Sequence, residues 1–262
     1  MKNIGKLAVL GAVLAASSSF AFADTIALAS YGSAGLGPYN PTVTGVANTQ
    51  MEYVANDLLS SDTTGCAPNT YCETLGTLTP ITNVEATELN PDNAAAQMVW
   101  TGPITNSSWV GINANAGPYN TTNPQYGFYE FTTMFTAVGG PGYSGSIDVL
   151  ADDTTEVLLN GQVIVPFGTL GGDNHCADNA PTCLTQDVVA LNNLTLNPGT
   201  NGNTLEFIVE QAGNTAATGQ DPSGVDFTAN LTTIPEPSSL MMLGSGLVGA
   251  AGMLFRRRRQ TV

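Results

Sequence analysis

Every lysine and arginine of this chain lies at its two tips. Lys2, Lys6, Arg256, Arg257, Arg258 and Arg259 account for all six cations, so nothing between Asp24 and Ile234 is a lysine or arginine. That middle region carries all of the 21 acidic residues except Glu236, in a chain of formal net charge -15. A body of this kind cannot build a Lys or Arg salt bridge. It must fold by apolar burial and neutral hydrogen bonds. Its carboxylates repel one another weakly, through screening lengths of ~8–10 Å in physiological salt. The repulsion keeps the body soluble and argues against nucleic acid or anionic lipid as a partner. The asymmetry between tips and middle reads as membrane topology.

The first tip has the three parts of a secretory signal peptide, residues 1–23. Lys2 and Lys6 form a positive start, and Leu7 to Ala16 an apolar core. Ala21-Phe22-Ala23 is a small-x-small cleavage site for signal peptidase, which makes Asp24 the first mature residue. The apolar core is too short to cross a hydrocarbon layer of ~30 Å.

At the other tip, residues 238–255 are uncharged and apolar all round rather than on one stripe. As a helix they reach about 27 Å, enough for one transmembrane crossing. Pro235 and Pro237 bound the run on one side and the four arginines on the other. Arginine clusters stay on the cytoplasmic face, so both tips imply the same orientation, with the body outside. Pro235-Glu236-Pro237, the apolar run and Arg256 to Arg259 together resemble the PEP-CTERM sorting tail, over residues 234–262. The resemblance implies recognition by an exosortase and cleavage near Pro235 to Pro237. It also implies a membrane-anchored intermediate that is delivered to the cell surface or extracellular matrix, beside exopolysaccharide. The two prolines keep the segment out of a regular helix, where a protease can reach it.

Residues 24–233 form the exported domain. Tyr129, Phe131, Thr133 and Phe135 alternate with polar or flexible residues, and Ile147 and Val149 flank Asp148. Leu205, Phe207 and Val209 alternate with Glu206, Ile208 and Glu210, and Val225, Phe227, Ala229 and Leu231 with Asp226, Thr228 and Asn230. Period two with polar partners means one buried and one wet face. Val157 and Leu159 lead into Asn160-Gly161, with Val163 and Val165 beyond, a hairpin signal because both turn residues need positive φ. The fold class is therefore all-β, an antiparallel β-sandwich whose clearest strands lie in 126–231. Met51 to Leu59 reads as strand or short helix, and the region before Tyr126 is expected to complete the same sandwich with long loops.

The segments SIDVLADDTTEVLLNGQVIV and LTLNPGTNGNTLEFIVEQAG resemble the jelly-roll, galactose-binding-like domains of exported proteins. Leu159-Asn160-Gly161 and Asn197-Pro198-Gly199 with Leu205 and Phe207 carry the likeness. They shape turns and core and bring no binding residue with them. Two literal G-x-G-x-x-G matches, at 140–145 and 244–249, lack the strand-to-amphipathic-helix setting that a nucleotide site needs.

Cys66 with Cys72, and Cys176 with Cys183, each bracket a short loop. An even count in an exported chain favours disulfides, paired locally and contributing about 2–2.5 kcal/mol each. A zinc site on His175, Cys176 and Cys183 has unusual spacing. His175, the only histidine, lacks the nucleophile elbow that a hydrolase would set beside it. No catalytic residue or cofactor is expected. The exception is calcium, for which Asp152, Asp153 and Glu156 could supply oxygens; the alternative is a solvated, metal-free turn. Trp100, Trp109, Tyr119 and Tyr126 could stack on sugar rings or fill the core. The sequence thus describes a non-enzymatic surface or matrix component, with a carbohydrate-binding module as the alternative and a secreted hydrolase behind both.

Overall fold

The computed structural model describes residues 24–30, 47–55, 84–89, 99–113, 115–118, 127–170, 176–211, 222–233, 244–251 and 253. The chain divides into two units, Thr25–Leu231 on one hand and Met1–Asp24 with Thr232–Val262 on the other. The strands are β1 (Thr25–Ala29), β2 (Ala47–Ala55), β3 (Val84–Glu88), β4 (Val110–Gly111), β5 (Gly127–Ala137), β6 (Gly140–Asp152), β7 (Thr154–Leu159), β8 (Gln162–Val165), β9 (Asp187–Leu196), β10 (Gly199–Gln211) and β11 (Gly224–Thr233). They hydrogen-bond in the order β8-β7-β10-β5-β2-β3-β4-β11-β6-β9, with β1 beside β11.

That path folds over itself into two antiparallel layers on one core. The two-residue β4 is the narrow link, pairing with β3 at Glu88↔Val110 and with β11 at Val225↔Val110. Phe131, Val157, Leu205, Phe207 and Val209 from one layer share a cluster with Ile147, Val149, Phe227 and Leu231 from the other. Phe207 and Phe227 stand far apart along the path, yet their rings lie 4.4 Å apart. Full burial of side chains of this size stabilises by roughly 1.5–3 kcal/mol each. An antiparallel sandwich is what the period-two pattern implies, and the strands form it.

The Asn-Gly signal is met at the β7–β8 turn. Asn160 and Gly161 have φ of 52° and 75°, and Leu159 faces Gln162. Asn160 also ties this tip to the β9–β10 turn. Its Oδ1 accepts the Thr204 N–H at 2.9 Å, and its Nδ2 donates to Asn203 Oδ1 at 3.0 Å. Buried Asn203 in turn accepts the Asn197 N–H at 2.8 Å and donates to the Asn197 carbonyl at 2.9 Å. Those amides replace water for backbone groups that burial would otherwise leave unmet.

Met51 begins the second half of β2, a strand to Ala55 that pairs with β5 at Tyr53↔Phe131; Asp57 to Leu59 lie outside the described residues. Val163 departs from the expected alternation. The register shifts between Val157 and Leu158, so Val165 faces Val157 while Val163 faces Leu158. The extra residue turns Val163 outward, 53 % exposed, and leaves Ile164 against the core. The 140–145 glycine motif is the start of β6, with no helix behind it.

In the other unit, residues 244–251 and 253 are helical, and Leu247, Val248 and Met253 are exposed. Among the described residues no helix is long and apolar enough to cross a membrane. The rest of the expected span 238–255 lies outside the described residues, as do residues 1–23. Asp24 donates its N–H to Thr233 Oγ1 at 2.7 Å and accepts the Thr233 N–H at 2.9 Å. The first residue of the expected mature chain therefore sits beside the last residue before the tail.

Candidate functional site

The outward face of β5, β10 and β7 gathers carboxylates on apolar ground. Alternation sends Phe131, Phe207 and Val157 to the core and their neighbours outward. Register then sets Glu130 opposite Ile208, Ile208 opposite Glu156, and Glu206 opposite Thr132 and Leu158. Phe128, Ile208, Leu158 and Phe167 pack together on this side, with the Phe128 and Phe167 rings 5.9 Å apart. Partial burial raises Glu130, Glu156 and Glu206 above the ordinary glutamate range, and the charge of Glu206 raises Glu130 further. No guanidinium or ammonium opposes them among the described residues. Such a face can accept hydrogen bonds from hydroxyl groups and hold cations.

A second carboxylate is hidden. Asp226 occupies a position in β11 that alternation assigns to the wet face, yet it is fully buried. The 99–109 segment and the end of β1 cover it. Ile104 N–H donates to Asp226 Oδ2 at 2.8 Å, and Ser30 Oγ lies 2.8 Å from Oδ1. Ser30 Oγ also accepts the Phe227 N–H at 3.1 Å and stands 2.7 Å from the Ser108 carbonyl. A hydroxyl has one proton, and here the Asp226 carboxylate competes for it with the Ser108 carbonyl and, at 3.4 Å, the Phe227 carbonyl. A protonated Asp226 resolves the competition by donating to Ser30 Oγ, which then donates to Ser108. Burial drives the Asp226 pKa up to about 6, against the opposing effect of the Ser107, Ile104, Ser30 and Phe227 donors.

The third cluster surrounds the disulfide between Cys176 and Cys183, whose Cα atoms are 5.4 Å apart. Asp152, Cys176 and Cys183 are all buried, with ligand atoms within 4.8 Å of one another. Trp100 Nε1 donates to Asp152 Oδ2. Trp100 stacks on Trp109 at 4.3 Å, and both rings pack with Leu150 and the two cysteines.

The residues singled out from sequence distribute as follows. Asp152 ends β6 and Asp153 follows it, both buried; the Asp153 N–H donates to the Glu210 carbonyl and its own carbonyl accepts the Ala177 N–H, each at 3.0 Å. Glu156 lies on the outward sheet face and is not in the Asp152 ligand group. Trp100 and Trp109 are fully buried, so of the two readings, sugar stacking or core filling, these two rings take the second: a ring with no free face cannot meet a ligand. The Cys176–Cys183 pairing is formed. Cys66, Cys72, Tyr119, Tyr126, His175, Ala21, Ala23, Pro235, Glu236, Pro237 and Arg256 to Arg259 lie outside the described residues.

Sequence reasoning missed Glu130 and Glu206 as partners of Glu156. Their signal was present, since all three fall on wet positions of strands, but only strand order brings them together. Asp226 gave no signal, because its cover comes from a distant loop.

Against known families, the PEP-CTERM protein-sorting motif matches residues 233–259. The match takes in Pro235-Glu236-Pro237 and the four arginines, and implies an exported protein with a membrane-anchored intermediate processed by an exosortase. No curated protein matches the chain. Among solved structures, a family 35 carbohydrate binding module from Clostridium thermocellum is similar at 14 % identity and TM-score 0.27, over 51 % of this chain and 84 % of that one. A GH26-CBM35 beta-(1,4)-mannanase from Podospora anserina is similar at 18 % identity and TM-score 0.28, over 53 % of this chain and 24 % of that one.

Proposed function

We propose that this protein is a non-enzymatic component of the cell surface or extracellular matrix, working among exopolysaccharide as a structural or adhesive element. The observation that carries the reading is the sorting motif at 233–259 behind a body with no lysine or arginine. An exported domain of that charge has hydroxyl-rich polymers and divalent cations as its natural surroundings, since it repels polyanions. The contact face is that of β5, β10 and β7. There Glu130, Glu156 and Glu206 offer acceptors to sugar hydroxyls, and the half-buried Leu158 and Phe167, packed on buried Phe128 and Ile208, offer apolar ground to the carbon faces of the rings.

Sedimentation of the mature protein with exopolysaccharide from its own host tests this. Wild type co-sediments, and the Glu130→Gln/Glu206→Gln double variant binds about tenfold more weakly, as expected for losing charged acceptors worth about 1.4 kcal/mol in all. Its melting temperature stays at or above that of wild type, because the substitutions remove a repulsion. Absence of co-sedimentation, or equal binding by the double variant, contradicts the reading. Tight binding of one discrete glycan on an array would instead favour a carbohydrate-binding module.

A further inference from the structure

We propose that Asp152, Cys176 and Cys183 form a zinc site when the disulfide is open, so that the bridge and the metal are alternative clasps on one loop. Three buried side chains from two segments meet, with all ligand atoms within 4.8 Å of one another. Two sulfurs and one carboxylate oxygen are a zinc donor set that leaves a fourth position for water. The Trp100 indole N–H holds Asp152 through Oδ2, the kind of outer hydrogen bond that orients a ligating carboxylate. The Trp100–Trp109 stack supplies an apolar wall.

The loop is also held by hydrogen bonds that do not involve the bridge. Ala177 donates to the Asp153 carbonyl at 3.0 Å, Asp178 to Thr169 at 2.7 Å, Ala151 to Thr182 at 3.1 Å, and Thr101 to Cys183 at 3.0 Å, all backbone to backbone. Thr182 Oγ1 also accepts the Thr185 N–H at 2.8 Å. Opening the bridge therefore frees two thiols that remain beside Asp152. A dithiol reductant supplies the two electrons and two protons, and becomes a disulfide itself. Zinc then binds the two thiolates and the carboxylate, and the two thiol protons go to solvent. Reoxidation by a disulfide partner reverses both steps and releases the ion.

The test uses the full chain carrying Cys66→Ser and Cys72→Ser, so that only one cysteine pair remains. It is reduced with a phosphine and titrated with Co²⁺ and then Zn²⁺. The reduced protein takes up one Co²⁺ with sulfur-to-metal charge-transfer absorption; Zn²⁺ displaces it, and the oxidised protein binds neither. Asp152→Asn keeps an oxygen acceptor for Trp100 and lowers affinity at least about tenfold, while circular dichroism of the reduced form stays that of a folded sheet protein. Three results would each overturn the proposal: no charge-transfer band on reduction, equal affinity in Asp152→Asn, or loss of folded structure on reduction before metal is added.

Discussion

Mild acid is expected to stabilise this protein. Between about pH 7.5 and about pH 4.5 its melting temperature rises, where a protein held by carboxylate ion pairs loses stability. Each of Glu88, Glu130, Asp148, Glu156, Glu206 and Asp226 is raised by burial. The cause is the composition, since no lysine or arginine exists in the body to pull a carboxylate down. A carboxyl whose folded pKa exceeds its unfolded value binds protons more tightly when folded. Its stabilisation is complete below the unfolded pKa and is lost as pH rises through the folded one.

Asp226 carries the largest share. Its rise from 3.8 to about 6 corresponds to about 3 kcal/mol, or roughly 6–12 °C in a domain of this size. Asp226→Asn keeps an acceptor for Ile104 and gains a donor for Ser30 Oγ. The variant therefore melts higher than wild type at neutral pH and shows a much flatter pH profile. A wild-type melting temperature that falls steadily on acidification over this window would refute the assignment.

Gly145→Ala unfolds or severely weakens the sandwich. A Cβ at Gly145 would stand 1.8 Å from the Asn230 carbonyl oxygen, 2.8 Å from its carbon and 3.1 Å from Leu231 Cα. All three are β11 backbone, which cannot swing aside as a side-chain tip can. Making room means pushing β11 off β6, and β11 delivers Val225, Phe227, Ala229 and Leu231 to the core. The expected loss is about 3 kcal/mol or more, read by thermal or urea unfolding. Gly102→Ala is the control. Nothing lies within 4 Å of a Cβ there, so its effect stays within about 0.5 kcal/mol. Equal melting of Gly145→Ala and wild type would mean that β6 and β11 are not packed as described.

What alternation along one strand can state was legible in the sequence. Phe131, Val149, Phe207 and Phe227 read as inward and are inward. The turn at Asn160-Gly161 read as a hairpin because its positive φ is a property of those two residues. Whatever depends on a second segment was not legible. Asp226 alternates as a wet residue and is buried, because residues 99–109 lie over it. Val163 was expected beside Val165 and a bulge turns it out. β9 went unread because Asn192 and Asn193 interrupt its apolar pattern, with Asn193 at φ 52°. The convergence of Asp152 with Cys176 and Cys183 is likewise a tertiary fact. The Glu130, Glu156 and Glu206 face lies between these cases: alternation puts each residue outward, although Glu156 was read only as a calcium ligand, and only the order β7-β10-β5 makes them neighbours.

Mass spectrometry of the protein isolated from the surface fraction of its own host tests the central claim most directly. An exported and sorted chain begins at Asp24 and ends near Pro235 to Pro237, with the Cys176–Cys183 bridge intact. Recovery of a single species that retains Met1 to Ala23 and the Arg256 to Arg259 cluster, from the cytosol with reduced thiols, would contradict it.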